Sequence, residues 1–344
     1  MNKIAKMMCL VAIIALVGTS CKKKEEAATV KITFEELSVE GEDGAKSYLV
    51  GNRVEWDASD RFVVFNVEEG NADFESGEYR VQGAGGSTVT LAPVGEPVST
   101  ENHGAFYAFY PYGDETGGWQ FADTPDPGHV TATFLLPPVQ NYRKVGEKAA
   151  IPQNSFAAAA KDTQTANLGD VHFNMRAICG ILHLRYYTLA ANKRVDHITV
   201  FDKKFCTAGL VQMYIDMINP TELTQWINNY NTSSSYLASL VEYKEQIGYY
   251  IPEWPANNPL LSNTVTLNCI TEATPNGVLL STNVSKPTDF YLGMRPLAAY
   301  AGMKITMYFT DGTYAVPYDN NTNNKIKPNV MKDMAVREVR NFQN

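Results

Sequence analysis

The chain has 344 residues, of which 19% are charged, with 29 Lys and Arg against 37 Asp and Glu for a net charge of -8. Nucleic-acid binding is excluded as its main role, because gripping phosphates takes clustered cations and the sequence shows no basic patch. A length of this order suits two domains of roughly 150 residues, and nineteen Tyr and fifteen Phe among many Thr and Val favour sheet over helix.

Residues 1–20 form a leader. Lys3 and Lys6 give a positive start, residues 10–17 (LVAIIALV) are an apolar run too short to span a bilayer, and Gly18, Thr19 and Ser20 are small residues ending at Cys21. This is the pattern of a secretory signal closing in a lipobox, with Cys21 as the lipidated first residue of the mature chain. Residues 21–28 are then a hydrophilic tether. Loss of the two leader lysines leaves 27 basic against 37 acidic side chains, about -10.

Strands follow at short intervals. Residues 30–34 (VKITF) alternate apolar and polar with period two, and residues 61–67 (RFVVFNV) come after a turn-forming stretch at 57–60. Further strand candidates are 87–91, 104–110, 129–135, 178–187, 196–201, 264–270, 289–294 and 304–309, most of them bounded by Gly or Pro. Many short strands without long alternating helices predict a mainly β chain of antiparallel sandwiches rather than a βαβ sheet. Residues 156–170 carry almost no large apolar side chains, which places the division between an N-terminal sandwich, 29–165, and a C-terminal one, 166–344.

One block breaks the strand pattern. Asn219 can cap and Pro220 suits a first helical turn, after which Leu223, Trp226, Ile227 and Tyr230 share a helical face; Tyr236, Leu240, Tyr243 and Ile247 do the same in a second piece. A helical insertion over about 213–260 is therefore expected in the second sandwich. Its aromatic residues Trp226, Tyr230, Tyr236, Tyr243, Tyr249, Tyr250 and Trp254 are the binding candidates, since such rings grip sugars and partner surfaces, although helical spacing turns several of them inward.

Chemical motifs are scarce. No nucleophile elbow, zincin helix, phosphate loop or paired Cys-x-x-Cys is present. His172, His183 and His197 are separated by 11 and 14 residues, which is no recognised ligand spacing, so solvent-facing strand histidines are expected and no metal or cofactor. Carboxylate pairs such as Asp57 with Asp60 sit in turns. Beyond Cys21, the mature cysteines Cys179, Cys206 and Cys269 lie in apolar runs and read as buried thiols, with one disulfide plus one thiol as the alternative.

Taken in order, several stretches resemble the fimbrillin-like lipoproteins of Bacteroidota, which include type V pilin subunits with their anchor and tip relatives. They are 54–65 (VEWDASDRFVVF), 108–112 (AFYPY), 136–142 (LPPVQNY), Ile151 with Pro152, 171–173 (VHF), 177–184 (AICGILHL), 197–200 (HITV) with Gly209, and 290–294 (FYLGM). Lys24, Glu25 and Glu26 likewise resemble the charged signals that carry such lipoproteins to the outer leaflet of the outer membrane. The resemblance implies two tandem transthyretin-like sandwiches and a non-enzymatic, surface-exposed subunit anchored in the cell outer membrane through lipid on Cys21. It further implies cleavage after a basic residue, for which Lys46 and Arg53 are the candidates, departure of the first strand, and assembly with other fimbrial subunits by β-strand addition. The segment 334–342 is the available donor, unless it is the last strand of its own domain. The helical block fits the pattern poorly. It motivates an alternative, a monomeric outer-membrane lipoprotein that binds a glycan or protein, host or bacterial, through its aromatic insertion; a hydrolase on a sandwich scaffold is the third reading.

Overall fold

The computed structural model describes residues 29–34, 37–41, 56, 58–68, 74–99, 103–112, 119–123, 129–145, 147–152, 155, 157–162, 168–203, 207–216, 241–243, 248–251, 261–321, 323–326 and 329–344. The leader, Cys21, the tether, Lys46, Arg53, Cys206, Trp226, Tyr230, Tyr236 and Trp254 lie outside the described residues, as does the helix expected at 219–230.

The chain is mainly β and its first half closes on itself. Around the barrel run Val30–Phe34, His172–Ala177, Ala158–Asp162, His103–Tyr110, Arg61–Glu68, Phe74–Gln82 and Thr88–Pro93, the last returning to the first. The expectation of an open sandwich here is corrected to a closed barrel. Closure removes the two edges that a sandwich sheet would leave unpaired. Its core holds Val30, Ile32, Phe34, Phe62, Val64, Tyr79, Leu91, Phe106, Phe173 and Met175, the inward members of strands whose alternate residues face outward.

Within the stretch 156–170 expected to divide the halves, Ala158–Asp162 is a barrel strand. Ala158 and Ala160 are buried in the same core, and the strand pairs with both His103–Tyr110 and His172–Ala177. A hydrophobicity pattern reads small side chains as linker, yet they suit a strand whose neighbours supply large rings.

The second half is a two-sheet sandwich. One sheet orders Ser38–Gly41, Val330–Asp333, Gly180–Tyr187 and Thr288–Met294, with Arg337–Glu338 also pairing with Gly180–Tyr187. The other orders Tyr314–Asp319, Met303–Phe309, Arg194–Asp202, Thr264–Asn268 and Val139–Asn141, with Val278–Leu279 against Arg194–Asp202. Leu182, Leu184, Phe290 and Leu292 from the first meet Ile198, Val200, Val265, Leu267, Ile305 and Met307 from the second in one core. Ile181 and Met331 of the first sheet belong instead to the barrel core, so the two halves share a wall.

A third sheet joins Val241–Tyr243, Gly248–Ile251, Ala208–Asp216, His129–Leu136 and Trp119–Asp123, with Leu261–Ser262 also on Ala208–Asp216. Within the helix expected over 236–247, Val241–Tyr243 is a strand, and the rest of that range lies outside the described residues. Val241, Tyr243 and the Tyr249–Tyr250 pair favour extended backbone, Gly248 breaks a helix, and Ala208–Asp216 offers Gln212, Met213 and Tyr214 as ladder partners for 249–251.

One side chain ties the two sandwich sheets together by imitating a strand. Gln140 donates from Nε2 to the Gly293 carbonyl at 2.8 Å and accepts from the Gly293 amide through Oε1 at 2.9 Å, the pair of bonds a neighbouring backbone would make. Gly293 must be glycine, because a Cβ there would lie 1.8 Å from the Ser155 carbonyl oxygen. Gly293→Ala is expected to destabilise the chain by about 3 kcal/mol or more through this backbone clash, read as a lowered urea midpoint.

Candidate functional site

The candidate site is the segment 30–41 together with the groove it fills. Val30, Ile32 and Phe34 are buried, Lys31 is exposed and Thr33 half-exposed, as the period-two pattern requires. On one side the strand runs parallel to His172–Ala177, with Lys31 opposite His172 and Phe34 opposite Met175. On the other it runs antiparallel to Thr88–Pro93, with Val30 opposite Leu91 and Thr33 opposite Thr88. The Lys31 amide donates to Val171 O and the Phe34 amide to Ser87 O, both at 3.1 Å. On the outer face the Thr33 hydroxyl sits 2.7 Å from His172 Nε2 and 3.1 Å from Thr88 Oγ1.

Phe34 is the innermost anchor. Its ring meets Trp56 edge-on at 5.8 Å, and Trp56 meets Phe62 and Tyr110 at 4.9 Å each. Trp56 is itself fixed by mutual backbone bonds with Gly86 at 2.9 and 3.0 Å. After buried Leu37 the segment continues as Ser38–Gly41, parallel to Val330–Asp333, with Ser38 opposite Val330 and Gly41 opposite Asp333. A single stretch therefore closes the barrel and then covers an edge of the sandwich.

Without this segment, 88–93 and 172–177 would each present a row of unpaired backbone groups, and apolar slots would open between them. Refilling those slots with three side chains is worth about 5–9 kcal/mol at the usual value for burying a large aliphatic or aromatic group. Such a groove has the chemistry of β-augmentation, with main-chain bonds for affinity and alternate pockets for side-chain selection.

Lys46 and Arg53 fall between Gly41 and Trp56 in the sequence, and a cut after either would detach 30–41 from the rest. Tyr243, Tyr249 and Tyr250 lie on strands of the third sheet, with Tyr249 opposite Tyr214 and Tyr250 opposite Met213. The segment 334–342, weighed as a donor, is built into its own sandwich. Met334 and Val339 are buried, Thr188 Oγ1 donates to Val339 O at 2.9 Å, Lys193 Nζ lies 4.1 Å from the Phe342 ring centre, and Gln343 and Tyr314 exchange backbone bonds at 2.8 Å. Cys179 and Cys269 are free, buried thiols, and burial holds the Cys179 pKa up at about 12, far from reactivity.

Sequence reasoning missed His183. Expected at the surface, it is 1% exposed between two carboxylates, and the partner that buries it, Asp333, stands 150 residues away where no local pattern could point to it. His172 is exposed, and His197 is partly exposed and stacked on Tyr308 at 4.3 Å. Among the described residues no group of three or more His, Cys, Asp or Glu could hold a metal ion, and no helix is long and apolar enough to cross a membrane.

No protein-family model matches the sequence, and no curated protein matches it. Solved structures similar to the chain include a "putative cell adhesion protein" of Bacteroides ovatus, at 11% identity and TM-score 0.44 over 92% of this chain and 98% of that one. A second, from Bacteroides uniformis, has 10% identity and TM-score 0.44 over 94% and 99%. A fimbrial protein of Bacteroides ovatus has 11% identity and TM-score 0.32 over 91% of this chain and 50% of that one. At TM-scores below 0.5 such likeness assigns neither topology nor function.

Inner and outer faces of the first strand are expected to respond differently to substitution. Phe34→Ala, which empties the slot against Trp56, should cost about 3–5 kcal/mol, whereas Thr33→Val, which loses only an outer-face hydroxyl, should cost about 1 kcal/mol, both read from urea unfolding.

Proposed function

We propose that the chain is a surface-anchored structural or adhesive subunit of a fimbrial assembly, in which residues 30–41 act as a removable plug and another subunit supplies the strand that replaces it. The observation that carries this reading is the placement of 30–34 as the closing strand of a closed barrel, paired on both sides and buried at alternate residues. A strand in that position leaves behind a complete acceptor groove.

In this reading lipid on Cys21 holds the precursor on the outer membrane, and cleavage at Lys46 or Arg53 releases tether and plug together. The resemblance of the sequence to fimbrillin-like lipoproteins and the two units, expected as 29–165 and 166–344 and here sharing strands across that division, fit a subunit of this kind. The woven-in 334–342 segment favours a tip, cap or anchor that accepts a strand over a stalk subunit that also gives one. The alternative of a free-standing lipoprotein binding a glycan or protein through the 213–260 block draws on the same observation, since such a protein needs no donor.

Two outcomes test the proposal. Limited trypsin treatment followed by mass spectrometry should find the cut after Lys46 or Arg53, and the trimmed protein should take up a labelled peptide of residues 30–41 or form oligomers on size exclusion. A trimmed protein that stays monomeric and ignores the peptide would sink the strand-acceptor role. Independently, Cys21→Ala should move the protein from the membrane to the soluble fraction; unchanged membrane binding would remove the lipid anchor from the account.

A further inference from the structure

The strand Val330–Asp333 holds the edge that Ser38–Gly41 covers, and a charged cluster fastens it from beneath. His183, on Gly180–Tyr187, places Nδ1 3.1 Å from Asp333 Oδ1 and Nε2 3.0 Å from Asp289 Oδ1. Arg185 Nε lies 3.0 Å from the same Asp333 oxygen, and Arg185 also donates to the Met334 carbonyl from Nε at 3.2 Å and from Nη2 at 3.1 Å. Tyr291 stacks flat on the imidazole, with centroids 4.3 Å apart and planes 9° from parallel. Asp333 has no side-chain exposure, while Asp289 is 42% exposed at the rim.

Both ring nitrogens lie within ion-pair distance of carboxylates, which only accept: Nε2 is in hydrogen-bond geometry with Asp289, while Nδ1 is close to Asp333 but off the hydrogen-bond direction. A neutral imidazole has a single N–H and can satisfy one of them, so the geometry suits the doubly protonated ring. We propose that His183 is a proton-dependent latch, clamping the strand Val330–Asp333 onto the sandwich when charged and loosening it when neutral.

The charged and titratable groups placed against His183 among the described residues are Arg185 on its own strand, Asp289 and Tyr291 on Thr288–Met294, and Asp333 on Val330–Asp333; Gly41, opposite Asp333, brings no charge. Burial lowers the His183 pKa, but the bonds and charges of Asp289 and Asp333 outweigh it and leave it above 6.5. Burial first, then the two aspartates, pushes the Tyr291 hydroxyl up to about 12, so it stays neutral throughout. A raised pKa makes the latch fully effective below the unfolded value of 6.5 and spends its contribution as pH rises through the folded value.

This inference concerns the intact chain and stands apart from strand exchange. Hydrogen exchange of the peptide 329–344 in the uncut protein, expressed as protection factors from about pH 6 to 9, reads it directly: protection should fall by up to about tenfold per pH unit above 6.5 and then level off. In His183→Gln the profile should be flat and already low at pH 6. Asp289→Asn, altered at the rim and expected to fold, should move the fall to lower pH and carries the test if His183→Gln does not fold. Wild-type protection that is constant over the range, or an Asp289→Asn profile that coincides with wild type, overturns the latch.

Discussion

A barrel is stable only if every strand is flanked on both sides, and here the strand that meets this condition is the first one described. Val30–Phe34 supplies hydrogen-bonding partners to 88–93 and 172–177 at once and places three apolar side chains in the common core. Trp56, Phe62 and Tyr110 pack where Phe34 reaches them, and Trp56 in turn secures the Gly86 turn through its backbone. The integrity of the first half thus hangs on a segment joined to it by a single covalent connection.

The same segment couples the halves, and it does not act alone. Ser38–Gly41 lies on Val330–Asp333, and just before that strand Asn329 Oδ1 accepts from the Ala177 amide of the barrel at 3.1 Å. Each contact joins residues far apart in sequence at the seam between barrel and sandwich. The seam is also where Ile181 and Met331 leave their own sheet's core for the barrel's. Losing the first segment would therefore unload a barrel edge and a sandwich edge together, which is why one groove could receive a strand longer than either half offers by itself.

Much of this was legible in the residues. The period-two pattern at 30–34, the aromatic run at 104–110 and the apolar runs at 178–187 and 304–309 carry their own evidence of extended, half-buried backbone, and the structure places strands over all of them. The Ala158–Asp162 strand was not legible, because alanine gives no contrast between an inner and an outer face. Within the expected helix, the strand at Val241–Tyr243 escaped notice for a related reason. Tyr236, Leu240, Tyr243 and Ile247 satisfy a helical period, yet the presence of a receptive edge at Gln212–Tyr214 decides between helix and strand, and a local window cannot see it. The short strands Val139–Asn141 and Val278–Leu279, and the burial of His183, depend wholly on partners distant in sequence.

The parallel pairing of Val30–Phe34 with His172–Ala177 has a consequence for how the chain comes to be folded. The first strand is made well before one of its two neighbours exists, and Ser38–Gly41 waits longer still for Val330–Asp333. Pairings of such long sequence separation form late, since loop closure must precede any gain from them. Until its long-range pairings close, the first strand is held in the seven-stranded barrel only loosely. The chain's own strand wins that place by being tethered nearby, an advantage of local concentration that crowding among neighbouring nascent copies erodes. Exchange of first strands between copies is thus the misfolding route this topology leaves open, with no cleavage involved.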